Sequence, residues 1–158
     1  MAVVCDASVR RQVMSGPVLP ARALVELDPA EALELLASVR YGRIVFTRHA
    51  LPAIRPVNHL VDNGEVIIRT RLSGKITEAV GANTDSTGTV VAYEADLIDP
   101  VQRLGWSVTV TGRARPITDA TRIARYEQAL LPWVDPVMDT VIGIRADIVT
   151  GFRLLAPD

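Results

Sequence analysis

Cysteine is almost missing from this chain. The one that occurs, Cys5, excludes an internal disulfide, and two histidines are too few for a zinc site built from protein ligands alone. Aromatic residues make up only 4%. No apolar run approaches the roughly 18 residues of a membrane span. The start, Met1 to Cys5, is too short and wrongly flanked for a signal peptide. The expected compartment is therefore the cytosol, with no membrane partner. Charge of one sign is lacking too: 17 Lys plus Arg stand against 18 Asp plus Glu, a net charge of -1. A protein that neutralises phosphates along a nucleic acid is normally basic, so that class is disfavoured. Lysine itself is scarce. Of the 17 basic residues 16 are arginine, and the sole lysine is Lys75. Neither the nucleotide-triphosphate loop Gly-x-x-x-x-Gly-Lys-Ser/Thr nor the dinucleotide fingerprint Gly-x-Gly-x-x-Gly occurs.

What is present suits one globular domain. The 158 residues are 49% hydrophobic and 22% charged. Residues 1–24 lack periodicity and carry Gly16, Pro17 and Pro20, which reads as an N-terminal arm or tail; residues 25–158 form the domain. Asp28, Pro29 and Glu31 predict a helix start with a capping box, Leu33, Leu36 and Ala37 supply its apolar face, and Gly42 ends it. Strands are expected over 43–48, 53–61, 65–71, 87–95, 106–114, 139–145 and 149–155. Asn63-Gly64 marks a type I′ hairpin, because both central positions need positive φ. Counting outward from it pairs Val61 with Val66, Asn58 with Arg69 and Val57 with Thr70. Val90 to Ala92 run without alternation, as a strand buried on both faces does. Trp106, Val108, Val110 and Gly112 alternate with Ser107, Thr109, Thr111 and Arg113. Ser73 starts a short helix with Ile76 and Val80. Thr118 starts another that reaches about Leu131, with Ile123, Tyr126, Ala129 and Leu130 on its inner stripe. Six or seven strands joined mostly by short turns predict a mainly antiparallel barrel with peripheral helices.

Chemistry concentrates between Arg55 and Lys75. Arg55, Arg69, Arg71 and Lys75 gather with the hydroxyls of Thr70 and Ser73 where a strand gives way to a helix start. Guanidinium forks, an ammonium and helix N–H groups together suit a dianionic phosphate. The same spacing also fits a solvated charged edge, since Arg69 and Arg71 alternate with Ile68 and Thr70. His59 shares a face with Arg55 and Val57, where a lone histidine is more often a satisfied core residue than a proton shuttle.

The order of Arg55-x-x-x-x-Leu60, the x-Thr70-x-x-Ser73-x-Lys75 junction and the strand Trp106-Ser-Val-x-Val-x-Gly-x-Ala114 resembles the pyridoxamine 5′-phosphate oxidase-like family of FMN-binding split barrels. It is most similar to the small bacterial members, which include nitroimidazole-resistance-type reductases. The resemblance covers about Leu27 to Leu155. It implies a split β-barrel that binds FMN non-covalently at the interface of a homodimer and works as a flavin-dependent oxidoreductase. A small-molecule substrate and a nicotinamide donor are the implied partners. Arg55 and Lys75 would clamp the phosphate, helped by Ser73 and Thr70. Pro56, Val57 and Asn58 would run along the flavin ring, and Ser107 would touch it from the neighbouring subunit. Trp106 would stack on the flavin or pack at an interface. No catalytic acid or base is implied, because the cofactor carries the redox chemistry. Two positions depart from the family oxidase, which has an aromatic residue at Arg69 and a basic one at Gly74. Arg69 would then take over a phosphate contact, or the cofactor would be a deazaflavin. The paired Arg and His of the oxidase's C-terminal substrate segment have no counterpart before Asp158, so pyridoxamine phosphate is not the expected substrate. A non-catalytic flavin- or haem-binding stress protein is the remaining alternative.

Overall fold

The computed structural model of the chain describes residues 22–70, 88–131 and 140–156. Along these residues run β1 (Ala23–Glu26), α1 (Pro29–Ser38), β2 (Tyr41–Arg48), β3 (Leu51–Asp62), β4 (Glu65–Thr70), β5 (Thr89–Asp99), β6 (Leu104–Pro116), α2 (Ala120–Ala129), β7 (Thr140–Arg145) and β8 (Ile148–Leu155). The strands follow the order β1-β8-β6-β5-β2-β3-β4-β7, and β7 also pairs with β6. That extra pairing closes six strands into an antiparallel barrel and leaves β8 and β1 as a two-stranded extension. The expected split barrel is therefore observed. Among the described residues no helix is long and apolar enough to cross a membrane.

Closure depends on β6 changing partner. It pairs with β8 from Gly105 to Thr111 and with β7 from Ala114 to Pro116. Gly112 lies at the changeover, where an added Cβ would stand 1.6 Å from the Arg145 carbonyl oxygen. The β7–β8 connection can come this close only because the residue has no side chain.

Turn chemistry sets the hairpins. Asn63 and Gly64 have φ of 50° and 75°, the type I′ geometry, and Val61 faces Val66 as counted. The β3–β4 ladder then stops at His59↔Ile68. Beyond it Arg69 and Thr70 face Val141 and Thr140 on β7, so the expected Asn58–Arg69 and Val57–Thr70 pairs fall outside the ladder. The β2–β3 turn is shorter than expected. His49 and Ala50 both have positive φ, 50° and 61°, and Pro52 is already in β3 opposite Thr47. Alanine in this region crowds its own Cβ. Ala50→Gly is expected to stabilise the fold by about 0.5 kcal/mol, relief of that crowding offset by the entropy of a freer unfolded chain; urea unfolding would measure it.

Several local expectations give way. Asp28 does cap α1, accepting from the Ala30 and Glu31 N–H groups. Glu31 does not complete a capping box, because its carboxylate pairs with Arg153 at 2.7 Å. The helix ends at Val39. Gly42 belongs to β2, where a Cβ would meet the Glu94 carbonyl oxygen at 2.4 Å. Asp119, not Thr118, caps α2. Val90 is exposed and Val91 buried, so β5 alternates like its neighbours and only one face looks into the barrel. The expected loop over 96–105 is instead a hairpin: β5 continues to Asp99, whose side chain accepts from the Val101 and Gln102 N–H groups and tightens the turn. β1 takes in Ala23 and Leu24, the last two residues of the expected arm, because Ala23–Glu26 pairs with the edge of β8. The expected helix at Ser73, Ile76 and Val80 lies outside the described residues.

Strand alternation produces two cores. Inward residues of the barrel, including Ile44, Val66, Ile68, Tyr93, Val108, Val110, Ile142 and Ile144, pack with Leu36 of α1. On the outer side Ile67 and Val141 pack with Tyr126 of α2 and with Leu130, the residue that caps its C-terminus.

Candidate functional site

Period-two alternation decides where each residue of the Arg55–Lys75 stretch can point. Arg55 and Val57 share a face of β3 with Ala53 and His59, and Ala53 and Val57 pack against the barrel core. Thr70 shares the face of Val66 and Ile68 on β4 and is 2% exposed. Asn58, Leu60 and Arg69 take the opposite parity, toward α2. The predicted set is thus divided between the two sides of the sheet.

On the α2 side, Arg69 Nη1 donates to the Glu127 and Leu130 carbonyls, both at 3.2 Å. Asn58 Nδ2 donates to the Leu131 carbonyl at 3.0 Å. The last carbonyls of a helix have no intrahelical partner and carry partial negative charge, so a guanidinium there is favourable. Arg69 and Asn58 together fasten the end of α2 to β3 and β4. Beside this junction lies a cleft of about 450 Å³, lined by Val39, Arg40, Asn58, His59, Leu130 and Leu131 among others.

On the inner parity, Arg55 Nη1 donates to the Ile54 carbonyl at 2.7 Å. No carboxylate pairs with Arg55 among the described residues, so its remaining donors stay available for an anion. With Phe46, Arg48, His49 and Pro52 it lines a smaller pocket of about 200 Å³ at the β2–β3 hairpin. Pro56 is exposed opposite Arg43. The Val57 carbonyl oxygen lies 3.2 Å from the Tyr93 hydroxyl oxygen. Trp106 is 8% exposed and lies in the barrel core. Ser107 is half-buried on the other face of β6, between Asp96 and Phe152 on the flanking strands. Ser73, Gly74 and Lys75 lie outside the described residues.

His59 is not a free base. It is 3% exposed, with Nε2 2.8 Å from the Leu36 carbonyl and Nδ1 2.8 Å from the Tyr93 hydroxyl. A carbonyl can only accept, so Nε2 carries the proton, and Nδ1 accepts from Tyr93. Burial pushes the His59 pKa down, opposed by the Leu36 hydrogen bond. Burial likewise holds the Tyr93 phenol protonated. The pair ties the end of α1 to β3 and β5 as a neutral link. Glu94 and Asp96 both reach Arg43, at 3.1 and 3.2 Å, and burial together with its neighbour Asp96 raises the Glu94 pKa.

One cluster has no counterpart in the sequence reading. The Tyr126 hydroxyl and Arg125 both donate to Asp62, and Arg122 pairs with Glu65 at 2.7 Å. These bonds clamp α2 over the β3–β4 hairpin. The spacing Arg122, Arg125, Tyr126 marks one helix face, but only the docked helix shows which hairpin that face meets.

Comparison with known proteins agrees with this architecture. The chain is 59% identical over 136 residues to an uncharacterised protein of Mycobacterium tuberculosis, covering 86% of this chain and 89% of that one. A solved structure, the FAD-binding protein from Mycobacterium smegmatis, is 32% identical with a TM-score of 0.66, over 87% of this chain and all of that one. An FAD-binding protein from Mesorhizobium loti aligns with a TM-score of 0.67 over 86% of this chain and all of that one; at 18% identity the likeness is of fold alone. The family model described as pyridoxamine 5′-phosphate oxidase matches residues 28–153, from the cap of α1 into β8, and the chain belongs to that family.

Proposed function

We propose that this protein is a flavin-dependent oxidoreductase that holds FMN non-covalently between two copies of itself in the cytosol. Family membership over nearly the whole domain is the observation that carries the reading. Two features of the chain support it. Arg55 keeps donors available next to a pocket, and the six-stranded barrel is filled by its own side chains, so a flavin-sized ligand belongs in a cleft rather than inside. Large apolar side chains such as Leu51, Ile54, Leu97, Ile98 and Val101 lie exposed and would be covered in a dimer.

The bound flavin would supply hydride or electron transfer to a small-molecule substrate, with a nicotinamide as the donor. The chain's own part is to hold and orient it. Arg55, with Thr70, Ser73, Gly74 and Lys75, would take the phosphate, while the Pro56–Asn58 backbone would border the ring and Ser107 would form the neighbouring wall. Arg69, turned toward α2, would act indirectly by keeping that helix end in place. His59 neither gains nor loses a proton in this scheme.

The name of the Mycobacterium smegmatis neighbour favours FAD as a second reading. The spectrum of the purified protein and the mass of the released cofactor separate FMN, FAD and a deazaflavin. A colourless protein that ignores all three would overturn the proposal. Lys75→Ala is expected to weaken flavin binding by about 1.5–3 kcal/mol, the range of a charge-assisted hydrogen bond; fluorescence titration would show unchanged affinity if Lys75 is not an anchor. Pyridoxamine phosphate itself is expected not to be oxidised.

A further inference from the structure

We propose that an arginine-lined pocket over Gly143, separate from the Arg55–Lys75 region, binds a tetrahedral dianion of the phosphate or phosphomonoester class. The pocket holds about 260 Å³ and takes Arg113 and Arg115 from β6, Arg145 from β7 and Arg122 from α2. It lies at the Glu65 end of β4. The sequence-marked junction begins at Thr70, the other end of that strand, about 17 Å away at 3.3 Å per residue.

Three observations point to an anion. The first is the register. Ala114 faces Ile144 and Arg115 faces Gly143, and continuing this count by one residue sets Arg113 against Arg145. Like charges on facing positions repel, and Glu65, opposite Arg145 on β4, and Asp147, bonded to it, offset only part of that charge. The second is the floor. Gly143 presents no side chain opposite Arg115, so the space between the guanidiniums is left open. Gly88 packs so closely that a Cβ would stand 2.7 Å from Arg115 Cγ, which holds that side chain at the rim. The third is the charge balance. Four arginines line the pocket against two carboxylates, Glu65 and Asp119; Arg122 holds Glu65 at 2.7 Å, and Arg145 Nε holds Asp147, outside the lining, at 2.5 Å. Arg113 has no ion pair among the described residues. Guanidinium groups gathered around one open space can match the edges of a tetrahedral oxyanion, which a spherical halide cannot reproduce.

The test is a calorimetric titration with inorganic phosphate and with glycerol 1-phosphate, at ionic strength matched by sodium chloride. It runs on the wild type, Lys75→Ala, Arg113→Gln, Arg113→Lys and Arg145→Gln. Lys75→Ala is expected to retain the binding, which makes the outcome independent of the flavin reading. Arg113→Gln and Arg145→Gln are expected to weaken it by on the order of tenfold each. Arg113→Lys, which keeps the charge and loses the fork, is expected not to restore it. Tighter binding of the ester than of phosphate would identify a phosphomonoester ligand, and the reverse order free phosphate. Equal response to phosphate and chloride, loss of binding in Lys75→Ala, or unchanged affinity in Arg113→Gln would each overturn the proposal.

Discussion

Gly112→Ala is expected to destabilise the protein by about 3 kcal/mol, the upper part of the range for overpacking a close-fitted site. For a domain of this size that lowers the midpoint of thermal unfolding by about 10 °C. The added methyl would lie 1.6 Å from the Arg145 carbonyl oxygen, 2.8 Å from its carbonyl carbon and 3.2 Å from the Asp147 nitrogen. All three are backbone atoms, so no rotamer change relieves the clash. The β7–β8 connection would have to withdraw from β6, loosening the β6–β7 pairing that closes the barrel and the end of the β6–β8 ladder. Gly64→Ala is the control. Gly64 has φ +75° and nothing within 4 Å of the added Cβ, so its cost is conformational only, about 1 kcal/mol. Equal losses in the two variants, measured by chemical denaturation, would show that the strand changeover is not a tight constraint.

His59→Ala is expected to cost about 3 kcal/mol, from a buried ring removed without repacking and a Leu36 carbonyl that loses its side-chain donor. The same residue predicts a pH dependence. Its folded pKa lies below the ordinary 6.5, so near that pH the unfolded chain binds more protons than the folded one. The stabilisation from a neutral His59 is complete above the unfolded pKa. It declines as pH falls toward the folded pKa, with a slope of at most about 1.4 kcal/mol per pH unit. Urea unfolding between pH 7.5 and 5 should show this slope in the wild type and its loss in His59→Gln. An identical slope in both proteins would mean that His59 is not held neutral. Tyr93→Phe gives a second check: removing the hydroxyl that donates to Nδ1 leaves that nitrogen without its donor, and stability should fall while the barrel persists.

Legibility from sequence was highest where the determinant is local. Asn63-Gly64 required positive φ at both turn positions, and the hairpin and its register next to the turn, Val61 opposite Val66, followed. Alternation from Trp106 to Ala114 marked the inward face of β6, and Asp28-Pro29 marked the start of α1. It was lowest where a distant strand supplies the partner. Ala23–Glu26 carries no strand signal of its own and becomes β1 through pairing with β8. Glu31 fits a capping box by spacing, yet Arg153 arrives from the far end of the chain and takes its carboxylate. Val90 to Ala92 read as buried on both sides, because hydrophobicity alone does not say that the outer face of β5 lacks a cover.

The candidate site divides in the same way. Residue types and spacing along Arg55–Lys75, together with the Trp106–Ala114 strand, were sufficient to point to the family, since that pattern depends on chain order. They could not assign each side chain to a side of the sheet, which follows from the register of β3 and β4 and from where α2 docks. Tertiary structure turned Arg69 and Asn58 to the end of α2, enclosed His59 between Leu36 and Tyr93, and left Arg55 with donors to spare. It also brought Arg122 and Arg145 to Arg113 and Arg115, which share one face of β6, around one pocket. Sequence by itself determined the local turns, the alternating strands and the family pattern, because those depend on steric preferences and spacings within a few residues. Barrel closure and the partner of each charge were decided only in three dimensions, because they depend on contacts between residues separated by much of the chain.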